Sequence, residues 1–336
     1  MDNSNTINIL CATDENYAPY CGIMLTSLFE SNRDCHFNVF VLVDGTFSDD
    51  NVKKYNLLGK KYGNEVVLKT VEESMVKGFP TVEGWVTLPT YYRLLASEML
   101  PEDISKIIYF DGDIIVKGDI KPLWNVNLDG MAIACSRRMV DWRDKSFSER
   151  LGYNSYDEYF NAGVLVINLD FWRTNGITNA LLDYIRINIG NKSKLLYMDQ
   201  DALNVVLHDK KFFFPERYNF HGSIFLKRYW MDFSEDQLHH YFVEYKSAVV
   251  IHYTGGKPWD YKRHGGPFFS DWEKYRRKSL WRDCRNTKPF GKHVKHLIKR
   301  YLFPKLFRSQ HSEWVMQPEI RGFNKKFLNF SSNTLL

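Results

Sequence analysis

Two carboxylates one residue apart, in residues 106–117 (KIIYFDGDIIVK), are the first groups in this chain that could do chemistry. Apolar runs flank Asp111-Gly112-Asp113 on both sides, which reads as a strand buried on both faces. Burying an unpaired carboxylate is costly, so something must neutralise two of them. On an extended chain Asp111 and Asp113 point to the same side. Gly112 between them lets the backbone approach a ligand closely. Two readings fit: a hard divalent cation shared with a phosphate group, or a tight turn closed by Asx-type hydrogen bonds. A third donor, His252, lies in another apolar run, residues 248–253. Gly255-Gly256-Lys257 follows it, a flexible backbone and a cation suited to a diphosphate. Two Asp, one His and phosphate oxygens suit six-coordinate Mn²⁺ or Mg²⁺, with the imidazole favouring Mn²⁺.

Such residues must be delivered by strand ends. The pattern predicts strands over 7–13, 36–44 and 65–71, a helix over 19–31, and a second helix capped by Ser48 and running to about Tyr62. That second helix is acidic early and basic late, as its dipole prefers. A further helix starts at Pro89, ahead of the Asp-Gly-Asp strand. Strands alternating with helices over the first 116 residues argue for a doubly wound, mostly parallel α/β sheet. Ligands of such sheets bind beyond the carboxyl ends of the strands, where Asp14 and Asp111-Gly112-Asp113 lie. The second half predicts strands at 131–136, after Asn161-Ala162-Gly163, and at 248–253, with helices at 178–189 and 199–207. No G-x-G-x-x-G follows the first strand and no G-x-x-x-x-G-K-[ST] occurs, which disfavours a dinucleotide fold and a P-loop.

The 336 residues suffice for one large or two medium domains. The aromatic content of 16% suggests packed cores and stacking or sugar-contacting surfaces. No apolar run reaches the roughly 18 residues of a transmembrane helix. The N-terminus lacks the basic-then-apolar pattern of a signal peptide, so the expectation is a cytoplasmic protein. Cys11, Cys21, Cys35, Cys135 and Cys284 match no zinc spacing and read as reduced residues. Between Lys257 and Arg308 sixteen Lys or Arg stand against four Asp or Glu, an excess of twelve; with a net +5 overall, the remainder carries −7. This asymmetry suggests a catalytic body with a basic tail that meets a polyanion. Residues 292–308 (KHVKHLIKRYLFPKLFR) mix cations with large apolar groups, the composition of a segment that sits on an anionic membrane surface. No nucleic-acid-reading motif accompanies it. The expected location is therefore peripheral, on the inner face of the cytoplasmic membrane.

Seven motifs, in order, carry a resemblance: ATDENY at 12–17, YYRL at 91–94, YFDGDIIV at 109–116, PLW at 122–124, FNAGVLVINL at 160–169, DQDALN at 199–204 and HYTGGKPW at 252–259. Over about residues 8–260 the chain resembles family 8 of the glycosyltransferases, in particular bacterial lipopolysaccharide glucosyl- and galactosyltransferases. The resemblance implies a GT-A fold over residues 1–265, an α/β nucleotide-binding sheet with an Asp-x-Asp metal site. Residues 266–336 would be a basic, aromatic-rich extension for membrane association. It implies a retaining, metal-dependent hexosyltransferase that moves a hexose from UDP-glucose or UDP-galactose to a glycan or lipid-linked glycan acceptor. It also implies that Asp111, Asp113 and His252 bind Mn²⁺ (Mg²⁺ as the alternative), with Asp111 near the ribose. Ala12, Asp14 and Asn16 would line the uridine pocket, Asp14 accepting the uracil N–H. Arg93 would reach the donor sugar and the metal carboxylates, and Asn161 and Asp199 would bind the hexose hydroxyls. Gln200 would face the anomeric carbon, and Gly255 and Lys257 would contact the diphosphate. As an amide Gln200 is a poor nucleophile, which favours front-face return of the acceptor; Asp199 as a covalent nucleophile is the rival.

Plainer roles compete: Asp14 and Asp199 as helix caps, and Arg93 as a helix-surface ion-pair partner. One departure from the family pattern stands out. Arg137-Arg138 replaces an acidic residue expected after the strand ending at Ser136, which leaves the choice between glucose and galactose open. Residues 137–157 read as part of an acceptor-side lid. Two other classes fit less well. A sugar-nucleotide nucleotidyltransferase should carry a glycine-rich loop after its first strand, which is absent here, and a non-catalytic sugar-binding relative should have lost a metal ligand, whereas all three are present.

Overall fold

The protein is described by a computed structural model over residues 6–81, 87–137, 150–152, 158–222, 234–254, 257–259 and 268–284. The N-terminal half winds β1 (Thr6–Ala12), α1 (Ala18–Ser31), β2 (His36–Val43), α2 (Asp49–Tyr62) and β3 (Glu65–Thr70). Alternation along β1 explains why both faces of the sheet are covered. Ile7, Ile9 and Cys11 pack with α1 and α2, while Leu10 joins Phe40, Tyr91 and Tyr92 on the opposite side. Ser48 caps α2 by accepting from Asn51 N–H at 3.3 Å, and Gly63, at φ 68°, closes its other end.

The segment expected to be one strand is two. β4 (Lys106–Phe110) joins β6 (Ile133–Arg137), β7 (Phe160–Asn168) and β8 (Lys211–Phe213) in a seven-stranded sheet of order β3-β2-β1-β4-β7-β6-β8. β5 (Ile114–Val116) instead belongs to a three-stranded sheet, β5-β10-β9, with β9 (Phe220–His221) and β10 (Val250–His252). Asp111-Gly112-Asp113 is the step between the sheets. Asp111 N–H donates to Gly163 O in the first at 2.9 Å, and Asp113 O accepts from Tyr253 N–H in the second at 3.0 Å. Two apolar runs that are each buried look the same in sequence whether or not they share a sheet.

The large sheet is mostly parallel, but β7 runs antiparallel to both β4 and β6. The register between β6 and β7 jumps, with Cys135 opposite Leu165 but Ser136 opposite Asn161. The residues bulged out are Ala162, Gly163 and Val164, which sit against the Asp-x-Asp step; bulges re-aim side chains in this way beside binding sites. The helix predicted from Pro89 is a 3₁₀ helix, Leu88–Leu95, followed by the single turn α3 (Ala96–Met99). The remaining helices are α4 (Lys121–Trp124), α5 (Leu169–Thr174), α6 (Ile177–Ile187), α7 (Asp199–Val206), α8 (Glu235–Lys246) and α9 (Phe269–Lys278). No helix among the described residues is long and apolar enough to cross a membrane. After α9, Trp281 enters the core through a gap left by Gly22 of α1, where an added Cβ would lie 2.2 Å from the indole. Its Nε1–H donates to Asn51 Oδ1 at 2.8 Å.

Candidate active site

Asp111 directly follows β4, Asp113 precedes β5, and His252 ends β10 directly opposite Ile114 of β5. Three chain segments thus deliver one donor atom each, all within 4.8 Å of one another. His252 Nε2 lies 3.2 Å from Asp113 Oδ1 and 3.6 Å from Asp111 Oδ2. Asp113 and His252 are buried, while Asp111 is partly open. Converging carboxylate oxygens and one imidazole nitrogen are a donor set that fits Mn²⁺ or Mg²⁺. Gly163 is part of the fit, because a Cβ there would come 2.1 Å from His252 Cε1 and 2.9 Å from Asp111 Oδ2. Gly112 serves packing rather than ligand approach: a Cβ on it would face Tyr17 at 3.3 Å and Cys21 at 3.4 Å. Lys257 pairs with Asp113 and donates to Tyr253 O at 3.1 Å. Burial would raise the Asp113 carboxyl, yet Lys257 and His252 beside it pull it far below the usual carboxylate range.

Arg93 joins this cluster to the opposite wall. Its NH1 lies 3.0 Å from Asp111 Oδ1 and donates to Ala162 O at 2.7 Å. Its Nε lies 2.9 Å from Asp199 Oδ2 and donates to Thr90 O at 3.1 Å. The guanidinium stacks 4.6 Å from the centre of the Tyr109 ring, whose hydroxyl donates to Asp111 Oδ1 at 2.7 Å. Arg93 is buried, so it is no helix-surface partner. Burial opposes its charge, and Asp111 and Asp199 more than restore it. Asp199 is buried as well, which raises its carboxyl to about 7 although Arg93 acts in the other direction. Its Oδ2 has no hydrogen-bond partner among the described residues. The close Arg93 nitrogen is therefore an ion-pair contact without hydrogen-bond alignment. Asp199 does not cap α7; that position belongs to Met198, held at φ 50°. A methionine in that conformation is strained, and it stands immediately before Asp199-Gln200.

A chain of amides and hydroxyls lines the cleft between these walls. Gln200 Oε1 accepts from Asn161 Nδ2 and from Ala162 N–H, each at 3.1 Å. Gln200 Nε2 donates to Tyr159 OH at 2.9 Å, and Tyr159 OH donates to Asp201 Oδ1 at 2.8 Å. Arg150 grips both Asp201 oxygens, at 2.7 and 2.9 Å. In the other direction Asn161 Oδ1 accepts from Gly163 N–H at 3.0 Å and from Asn219 Nδ2 at 2.9 Å, while Asn219 Oδ1 lies 2.9 Å from His252 Nδ1. Sequence reasoning missed Tyr109, Tyr159, Arg150, Asp201 and Asn219. Tyr109 and Asp201 stood inside quoted motifs, so their presence beside known candidates was the available signal.

The loop after β1 carries Asp14 and Asn16, with Ala12 half-buried at the strand end. Asp14 Oδ1 accepts from Tyr17 N–H at 2.8 Å, so one of its oxygens closes the turn. Glu15 anchors the loop to α2, accepting from Ser48 N–H and Oγ at 2.8 Å each and from Asn51 Nδ2 at 3.0 Å. The Tyr17 hydroxyl is held well above its ordinary pKa by burial, then by Asp113, Asp111 and Asp14. This loop therefore faces the carboxylates. Trp259 stacks on Tyr20 at 3.8 Å, fixing the chain just past Lys257. Gly255 lies outside the described residues, as do Arg138 and most of the expected lid. Arg137 is exposed, and its guanidinium lies 4.2 Å over Phe213 of β8.

Residues 8–263 match the family described as Glycosyl transferase family 8. The chain is 25% identical to a lipopolysaccharide 1,2-glucosyltransferase of Escherichia coli (strain K12) over 312 residues, 90% of this chain and 88% of that protein. It is 23% identical to a lipopolysaccharide 1,3-galactosyltransferase of Salmonella typhimurium over 328 residues, 97% of this chain and 93% of that protein. Among solved structures it is similar to the galactosyltransferase LgtC in complex with donor and acceptor sugar analogues. The TM-score is 0.68 at 25% identity, covering 86% of this chain and 100% of that one. With most of its length matched, this chain belongs to glycosyl transferase family 8 and is a glycosyltransferase of GT-A fold.

Proposed function

We propose that this glycosyltransferase transfers glucose or galactose from a UDP-sugar, with retention of configuration, to a glycan acceptor of lipopolysaccharide or another cell-surface polysaccharide. The observation that carries the reading is the convergence of Asp111, Asp113 and His252 across Arg93 from Asp199 and Gln200. The three converging donors would hold Mn²⁺, with Mg²⁺ the alternative, and the bound ion would supply charge neutralisation at the departing diphosphate. Lys257, next to Asp113, adds a cation on the same side. Ala12, Asp14 and Asn16 would take the uridine, and Asn161, Asp199 and Arg93 the hexose hydroxyls; Gly255 would add a backbone contact to the diphosphate.

Gln200 faces the reacting centre in this reading as a fixed dipole. Its carbonyl oxygen already accepts two N–H groups, which makes an amide nucleophile poorer still. A carboxyl raised to about 7, as at Asp199, is partly protonated near neutral pH, and burial and Arg93 hold it in place. Both points favour front-face return. The anomeric C–O bond to the diphosphate breaks, the acceptor oxygen forms its bond on the same face, and the acceptor proton passes to the leaving phosphate oxygen.

The test is hydrolysis and transfer of UDP-glucose and UDP-galactose with and without Mn²⁺. Turnover should require the metal and favour one of the two donors, and Asp113→Asn should lower it by on the order of 100-fold or more with an unchanged far-UV CD spectrum. If both donors stay intact and UDP binds no more tightly with Mn²⁺, the reading fails. The body extends past the expected boundary at residue 265, since Trp272, Tyr275 and Trp281 pack in its core; we further propose that the basic residues after them, within 285–336, hold the enzyme on the inner face of the cytoplasmic membrane. Removing residues 289–336 should release it from anionic vesicles; unchanged vesicle binding would rule this out.

A further inference from the structure

We infer that Asn219, fully buried between the two sheets, is a positioning residue that fixes which nitrogen of His252 faces the carboxylates of Asp111 and Asp113 and ties that candidate ligand to Gln200. The inference rests on the metal reading above. It follows from donors and acceptors alone. Backbone N–H groups can only donate. Gly163 N–H therefore makes the near atom of Asn161 its oxygen, and Ala162 N–H makes the near atom of Gln200 its oxygen. With Asn161 Oδ1 an acceptor, the atom of Asn219 that meets it at 2.9 Å must be the NH₂ group. The other end of Asn219 is then its oxygen, which can only accept, so His252 Nδ1, 2.9 Å away, carries the proton. In the neutral ring the lone pair is left on Nε2, the nitrogen that lies 3.2 and 3.6 Å from the Asp113 and Asp111 oxygens. A histidine ligand oriented by a hydrogen bond at its far nitrogen binds metal more tightly than one left to choose its tautomer.

The same amide does a second thing. By donating to Asn161 Oδ1 it keeps the Asn161 NH₂ turned toward Gln200. One residue thus aligns the metal ligand with one of its ends and the amide facing the sugar with the other. Its position is fixed by the 3₁₀ turn Glu216–Tyr218, with Asn219 N–H donating to Glu216 O at 2.9 Å.

Two variants separate these roles. Asn219→Asp keeps an acceptor for His252 Nδ1–H but loses the donor to Asn161; Asn219→Leu loses both. Mn²⁺ affinity, read from the EPR signal of free Mn²⁺ in the presence of UDP, should weaken by about 10- to 100-fold in Asn219→Leu. In Asn219→Asp it should stay near the wild-type value while kcat falls. Wild-type affinity in Asn219→Leu, or equal weakening in both variants, overturns the inference. Asp113→Asn serves as the reference: if it too leaves Mn²⁺ affinity unchanged, the metal reading itself has failed. A measurement on the metal-free protein with Asn219 intact does not depend on any Asn219 variant folding. Long-range ¹H–¹⁵N spectra at alkaline pH, with His252 assigned by its loss in His252→Gln, should show the Nδ1–H tautomer. An Nε2–H tautomer there overturns the proposal.

Discussion

At the scale of single residues, Gly163 shows how a site can demand the absence of a side chain. Its backbone is in no left-handed conformation, so an alanine would suit the chain itself. The space is what forbids it, since the new Cβ would fall 2.1 Å from His252 Cε1 and 2.9 Å from Asp111 Oδ2. Two of the three candidate metal ligands would have to move. Displacing reacting or ligating groups by about 1 Å typically costs on the order of 100-fold in rate. Gly163→Ala should therefore lose about that much Mn²⁺-dependent turnover of the UDP-sugar, with far less effect on the melting temperature. Turnover within a few-fold of wild type would mean that the cluster relaxes freely. Sequence alone marked Asp111, Asp113 and His252 because carboxylates and an imidazole at the ends of apolar runs need a reason to be there. It gave Gly163 no reason of its own, and Asn219 none at all. Asn219 acquires its role only by meeting a histidine 33 residues away.

At the scale of elements, strand positions were legible because apolar alternation reports burial. What they pair with was not, as the division of residues 106–117 between two sheets shows. The division matters to the site. A single strand would hold the carboxylates on one sheet edge, whereas the step lets β10 bring His252 from the second sheet. The second sheet and α1 are in turn held by elements that follow the site in sequence. Trp281 fills the notch at Gly22, stacks edge-on against Tyr55 at 5.0 Å, and donates to Asn51, the same residue whose amide donates to Glu15 in the loop after β1. Truncating a buried tryptophan costs roughly 3–5 kcal/mol. Trp281→Ala should lower the urea midpoint by that equivalent, read by far-UV CD, and should weaken UDP binding through the Asn51–Glu15 contact. Unchanged stability would show that residues 279–284 only rest on the surface.

At the scale of the whole molecule, charge decides how the end of the described chain grips its beginning. Glu30, on the last turn of α1, pairs with Lys278 at the end of α9, accepts from Tyr62 OH at 2.7 Å, and pairs with Arg33 at 2.7 Å. Burial alone would raise its carboxyl, but Lys278, Tyr62 and Arg33 together draw it down from an ordinary 4.5 to about 2. Glu273 is likewise drawn down to about 2, first by its hydrogen bond from Arg276 and then by that from Arg277, against the opposing effect of burial. A carboxyl whose pKa is lower folded than unfolded adds stability above the unfolded value and loses it as pH falls through the folded one. The protein should therefore melt at a temperature nearly independent of these groups from neutral pH to about 4.5, then lose stability between 4.5 and about 2. These side chains are partly solvated, so added salt should shrink the effect. Glu30→Gln should melt below wild type at neutral pH, and the gap should narrow below pH 4.5 and close as pH falls through about 2, where the folded wild-type carboxyl takes up its proton. If the gap persists unchanged at that pH, Glu30 stabilises by shape and not by charge, and α9 is held to α1 by packing alone.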